Sequence, residues 1–168
     1  LPYWTTDIGG FIHASPEVEG YKELFVRWLQ WGAFCPVFRV HGAYYPKEPW
    51  RFDKNTEQII VKYIKLRYRL LPYIYTLAWM VYERDYTIMR PLVMDFREDK
   101  NVINIDDQYM FGPFIMVSPI TTPSTFEREV YLPKGLWYDF WTGKRLHGGR
   151  KVRVEAPLDI IPLHVKAG

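Results

Sequence analysis

Asp7 ends the stretch YWTTD and stands directly before Ile8-Gly9-Gly10-Phe11. A carboxylate in that place can accept hydrogen bonds from sugar hydroxyls, serve as a base, or hold a metal. The two glycines let the backbone turn tightly beside a ligand. The competing role is local, because an Asp side chain can cap the turn that follows it. Arg39 and His41, in R-V-H-G, form the second candidate group. Two residues apart on an extended run, they point to one side, where both could face carboxylates or hydroxyls. The competing role is a structural arginine against a carboxylate, with the histidine satisfied by backbone.

The other ionisable residues offer less. Asp106 and Asp107 are adjacent, so on a strand they would point to opposite faces, a poor catalytic pair. Glu17, Glu19, Asp95, Glu98 and Asp99 lie in polar surroundings and read as solvated. His13, His41, His147 and His164 have no ligand spacing with one another or with Cys35, so neither a metal nor a cofactor is expected. Cys35, in GAFCPVF, reads as a small buried hydrophobe. The chain contains no G-x-S-x-G, no phosphate-binding glycine loop and no H-E-x-x-H.

The elements that must position these groups change character along the chain. Residues 3 to 8 are strand-like and break at Gly9-Gly10. Ser15-Pro16-Glu17 is a helix-start signal, and Tyr21, Leu24, Phe25, Trp28 and Leu29 recur at helical spacing through about Trp31. Phe34 to Val40 reads as a short buried strand and Ala43 to Asp53 as a polar loop. Asn55 or Thr56 would cap a helix from about Glu57 to Arg84, kinked or split at Pro72. Strand, helix, strand, helix, with polar residues then glycine at both strand ends, is the grammar of a βα-barrel or related α/β layer. After Arg84, short extended runs separated by turn signals predict an antiparallel sheet or sandwich. In W-Y-D-F-W, Trp137, Asp139 and Trp141 would alternate to one face, packed against the preceding half.

With 168 residues, 48% of them apolar, there is ample material for a core. Seven Trp and thirteen Tyr exceed ordinary packing needs, which fits carbohydrate surfaces or large interfaces. The net charge of +3 is dispersed, so neither a nucleic-acid nor a lipid-headgroup surface is expected, and no stretch approaches a membrane span.

Taken together, WTTDIGGF (4–11), ELFVRWLQWGAF (23–34), PVFRVHG (36–42), RYRLLPYIYTLA (67–78), MRPL (89–92), QYMFGPFIMVSPI (108–120), VYLPKGLWYDFWTG (130–143) and APLDIIPLHVKAG (156–168) resemble glycoside hydrolase family 31 over essentially the whole chain. The resemblance implies α/β followed by all-β: the last βα units of a (β/α)8 TIM barrel over residues 1–95, then an antiparallel β-sandwich, the proximal C-terminal domain, over 96–168. It implies a retaining α-glycosidase in which Asp7, Phe11 and His41 bind the substrate sugar, with Trp4 and Arg39 in support. The carboxylate nucleophile and the acid/base that such a reaction needs would both lie upstream, the latter in a W-x-G-D type motif. Neither motif occurs here, so no catalytic residue is assigned within the chain.

On this resemblance the chain reads as a C-terminal fragment, inactive alone, whose partners are an oligosaccharide substrate and the N-terminal part of the barrel. Two βα units would leave strand edges unpaired. R-x-H-G and W-x-x-D-I-G-G-F resemble bacterial α-xylosidases more than α-glucosidases, which often read R-N-H-N. An α-glucosidase or α-transglucosylase of the same family is the alternative. A non-catalytic carbohydrate-binding or structural module presenting Trp137 and Trp141 is the alternative of another class. Cytoplasmic, periplasmic and secreted locations are all compatible with the sequence.

Overall fold

The computed structural model describes residues 1–12, 15 and 17–168. Its architecture is α/β followed by all-β. Helix α1 (Tyr21–Gly32) packs on α2 (Lys54–Arg69), which is followed directly by α3 (Leu71–Arg84). The division predicted at Pro72 is present: Pro72 lies in the first turn of α3, where its missing N–H costs no helical bond.

Beyond α3 come β1 (Met89–Pro91), the single turn α4 (Leu92–Asp95), β2 (Tyr109–Phe111), β3 (Ile115–Val117), β4 (Glu127–Leu132), β5 (Leu136–Asp139), β6 (Arg145–His147), β7 (Arg150–Glu155) and β8 (Leu163–Lys166). Six strands form one sheet in the order β1-β2-β3-β8-β5-β6, every pair antiparallel, and β4 with β7 forms a second. Alternation on β2 and β3 sends neighbours to opposite faces. Phe111, Ile115 and Val117 join Phe25, Leu29, Phe34, Ile60, Tyr63 and Leu77 in a core beneath the helices. Met110 and Met116 join Val130, Leu132 and Trp137 in a second core against β4. The larger sheet is thus covered on both faces.

Several expectations are corrected. Residues 3–8 and 34–40 run side by side but form one parallel bridge, Ile8 to Val40, instead of two full strands. Pro36 and the turns after α1 consume the length that a ladder would need. Helix α1 starts at Tyr21, after Gly20 in the left-handed region with no side-chain cap. Ser15 instead accepts from the Glu17 N–H at 3.3 Å, within a separate turn, while Pro16 and His13 lie outside the described residues. Asp53, not Asn55 or Thr56, caps α2, because its carboxylate accepts from the Thr56 N–H and hydroxyl, each at 3.0 Å.

Trp137 and Trp141 do not share a face. Trp137 is fully buried in the second core beside Phe96. Trp141 lies past the end of β5 against Tyr63 of α2, with the Lys62 ammonium 4.8 Å from its ring centre. A side chain with no exposed surface cannot stack on a sugar, which removes Trp137 from the stacking surface of a carbohydrate-binding module. Two acids read as solvated have structural partners. Asp95 receives both of its bonds from Arg90 Nε, and Asp99 accepts from the Tyr131 hydroxyl at 2.7 Å and caps the short helix Lys100–Val102. Cys35 is buried as expected, and desolvation pushes its thiol up to about 12.

Candidate functional site

The site grows from the chain segment 4–11 laid against 37–43. Val37 N–H donates to the Trp4 carbonyl at 3.2 Å, and Thr5 Oγ1 donates to the Val37 carbonyl at 2.8 Å. Thr6 Oγ1 accepts from the Trp28 indole at 3.0 Å, and the Tyr21 hydroxyl donates to the Gly9 carbonyl at 2.9 Å. The two threonines therefore anchor the segment to α1 and to its neighbour. Gly9 and Gly10 both take the left-handed conformation, at φ 84° and 83°, and a Cβ on Gly9 would press into the Phe25 ring. These constraints fix the turn that follows Asp7.

Asp7 does not use its side chain to cap that turn; the Gly10 N–H bonds to the Asp7 main-chain carbonyl at 2.8 Å. The Asp7 carboxylate instead accepts from Arg39 Nη2 at 2.6 Å. Its remaining lone pairs, with about a third of the side chain exposed, can accept further donors. Phe11 and His41 meet across the same gap with ring centres 5.2 Å apart and planes tilted 44°. Four of the five sequence candidates thus form two cross-loop pairs at the ends of the paired runs. Trp4 is set further back, its ring 5.7 Å from that of Trp31, where it props the segment.

Such an arrangement suits a sugar. A carboxylate accepts hydroxyl protons, a guanidinium holds that carboxylate, an imidazole offers a donor or acceptor, and an aromatic face covers apolar ring carbons. An apolar cavity of about 170 Å³, lined by Phe25, Leu29, Phe38, Ile60 and Ile64 together with Arg39 and Lys47, lacks the convergent polar groups that a sugar needs. Among the described residues no cluster of His, Cys, Asp or Glu could hold a metal, and no helix is long and apolar enough to cross a membrane.

Sequence reasoning missed Lys47. Buried at 7% exposure, it donates from Nζ to the Gly10 carbonyl and, at 3.1 Å, to the His41 carbonyl. Burial lowers its pKa from the usual lysine range, while the charge of Asp7 opposes the fall. A lone lysine between Pro46 and Pro49 in a polar loop gives no sign that it folds back on two turns.

Two family models match the chain: the glycosyl hydrolases family 31 TIM-barrel domain over residues 1–77 and the glycosyl hydrolase family 31 C-terminal domain over 85–168. The chain is 62% identical to an alpha-xylosidase from Saccharolobus solfataricus, covering all of this chain and 23% of that protein. It is 43% identical to alpha-glucosidase 2 of Bacillus thermoamyloliquefaciens, over 96% of this chain and 20% of that one. The crystal structure of an alpha-xylosidase from Xanthomonas citri superposes with a TM-score of 0.94 at 43% identity, covering 100% of this chain and 20% of the other. The chain therefore spans about a fifth to a quarter of the length of these relatives.

Proposed function

The chain belongs to glycosyl hydrolase family 31, and from that premise we propose that it is the late-barrel and proximal β part of a retaining α-glycosidase acting on terminal α-linked xylose of oligosaccharides. The observation that carries the site is the pairing of Asp7 with Arg39 beside Phe11 with His41. In this reading Asp7 accepts protons from ring hydroxyls of the terminal sugar. Arg39 holds and aims the carboxylate, His41 bonds a second hydroxyl, and Phe11 covers the ring face. These contacts strengthen as positive charge develops on the sugar in an oxocarbenium-like transition state. The nucleophile and the acid/base belong to the preceding part of the barrel, so the 168-residue polypeptide alone turns over no glycoside. The same proposal divides the chain into barrel residues 1–95 and β-sandwich residues 96–168.

Xylose is preferred over glucose because the alpha-xylosidase relative is 62% identical against 43% for the alpha-glucosidase. The second reading, an α-glucosidase or α-transglucosylase, draws its support from the latter relative and from a 1,6-alpha-glucosyltransferase of Sporosarcina globispora at 34% identity.

The test uses the parent-length enzyme, this chain joined to the rest of its barrel, on p-nitrophenyl α-xyloside and α-glucoside. Asp7→Ala is expected to lower kcat/KM by at least about 100-fold, roughly 3 kcal/mol of transition-state stabilisation. Near-normal kinetics for that variant would remove Asp7 from the site. A strong preference for the glucoside would replace xylose by glucose, and retaining turnover by residues 1–168 alone would end the claim that the catalytic carboxylates lie elsewhere.

A further inference from the structure

We infer that Lys47 is a positioning residue for the sugar site: it clasps the turn that carries Asp7 and Phe11 to the turn that carries His41. This rests on the sugar-holding role proposed above. Going up from the paired runs, the two segments are joined at three successive levels. The first is Ile8 N–H to the Arg39 carbonyl at 3.4 Å, within the single parallel bridge. The second is Lys47 Nζ, shared between the Gly10 and His41 carbonyls. The third is Ala43 N–H to the Phe11 carbonyl at 2.8 Å.

The middle level is the one made by a side chain, and it bonds the carbonyl of His41 itself and that of the residue before Phe11. It also links two carbonyls, which cannot bond each other, so a donor must stand between them. An ammonium supplies three donors on a flexible stem and can serve both at once.

Gly42 is an independent sign of the same device. A Cβ at residue 42 would overlap Lys47 Nζ and lie 3.0 Å from the Gly10 carbonyl oxygen and 3.1 Å from that of Phe11. Residue 42 lacks a side chain because the lysine head and both carbonyls fill the space. The glycine of R-V-H-G thus leaves room for the clasp. The two carbonyl bonds and the nearby charge of Asp7 hold the ammonium against the cost of its burial.

The experiment is a double-mutant cycle in the parent-length enzyme with Lys47→Met, Gly42→Ala and the pair, and with Asp7→Asn as a control on the sugar-holding role. Lys47→Met is expected to lower kcat/KM for the α-xyloside ten- to hundredfold and to weaken competitive inhibition by free xylose, since a displacement near 1 Å is enough for such losses. Gly42→Ala should give a loss of the same order with the lysine still present. The double variant should be no worse than the poorer single, because both changes undo one contact. Multiplying losses would overturn the inference, as would Lys47→Met with near-native kcat/KM beside an inactive Asp7→Asn; the sugar-holding role would survive either. If Asp7→Asn is itself near native, the sugar-holding role fails and the inference falls with it. Where Lys47→Met yields no folded protein, Gly42→Ala alone decides: native xylose inhibition in a folded Gly42→Ala enzyme overturns the clasp.

Discussion

In the helical half, buried cations reach main-chain carbonyls; in the sheet half, backbone ladders carry most of the pairing, and the buried polar side chains there, Gln108, Ser118 and His164, are uncharged groups. Arg67 Nη1 donates to the carbonyls of Ala33 and Cys35, and its Nη2 to that of Pro36, at 2.7–2.8 Å. Arg27 donates to the carbonyls of Thr125, Ala156, Pro157 and Ile160, joining α1 to the loops around β7. Lys47 does the same for Gly10 and His41. By contrast, β4 and β7 pair over six residues each, in continuous register from Glu127 opposite Glu155 to Leu132 opposite Arg150. Every buried carbonyl needs a donor. Where the extended runs 3–8 and 34–40 share only one bridge, arginine and lysine supply what a ladder would have supplied. That leaves the segment ends, with Asp7, Phe11 and His41, partly open to a ligand.

The sharpest way to break this comparison is at Arg67. Replacing it by Met keeps much of the buried volume but leaves three carbonyls without their donors. An unsatisfied buried polar group costs about 1–3 kcal/mol, so a loss on the order of 4 kcal/mol is expected from denaturant unfolding. Arg67→Lys should recover part of it, since one ammonium can reach two of the three carbonyls. A loss below 1 kcal/mol for the Met variant would mean that the helical half does not depend on carbonyl clasping. Burial lowers the Arg67 pKa to about 10, still above neutrality, so the clasp stays charged from acid to neutral pH.

The sheet half should respond to acid where the clasp does not. His164 on β8 is fully buried, between Met116 of β3 and Asp139 of β5 in register, and neither ring nitrogen has a hydrogen-bond partner among the described residues. Desolvation lowers its pKa to about 4, against an opposing pull from Asp139. The unfolded chain binds a proton near pH 6.5 and the folded chain does not, so stability from this residue is complete above about pH 6.5. It is lost as the pH falls toward 4, by on the order of 3 kcal/mol. His164→Leu should flatten that acid limb while leaving neutral stability equal or higher. An unchanged acid limb in the Leu variant would place the titration elsewhere.

Legibility followed the range of the interaction. The Pro72 division, the change to strands after Arg84 and the burial of Cys35 follow from local geometry and composition, and each is present. Asp7 and His41 stood out because a polar residue before glycine at the end of an extended run is a local pattern. Strands β2 and β6 span three residues each, too few for a period of two to register by itself. Ser15 and Glu17 obey capping chemistry, since the Ser15 hydroxyl accepts from the Glu17 N–H, but α1 begins only at Tyr21, where the side chains reach the core. Trp137 and Trp141 separated because β5 ends at Asp139, whose carboxylate binds the N–H groups of Trp141 and Thr142 and turns the chain. Lys47 could not be read at all. Its function depends on two turns more than thirty residues apart meeting in space, and no local pattern encodes that.

The mildest change separates local capping from long-range clasping within the helical half. Asp53 accepts from the Thr56 N–H and hydroxyl at the first turn of α2 and lies 3.0 Å from Lys22 of α1. The Thr56 N–H, then Lys22, pull its pKa down to about 2. Removing the cap by Asp53→Ala should cost about 1 kcal/mol, the usual worth of an N-cap carboxylate. Lys22→Ala should cost under about 1 kcal/mol, because both partners are well exposed and water screens the pair. Asp53→Asn keeps an acceptor for the N–H and should lose only a few tenths of a kcal/mol. The contribution of a carboxylate with a lowered pKa is complete above the unfolded value near 4 and fades as the pH falls toward 2. The difference between native Asp53 and the Ala variant should therefore shrink over that interval, while the Arg67→Met loss persists through it. If the two losses fade together, Arg67 depends on an ionised acid nearby, and carbonyls alone do not hold it.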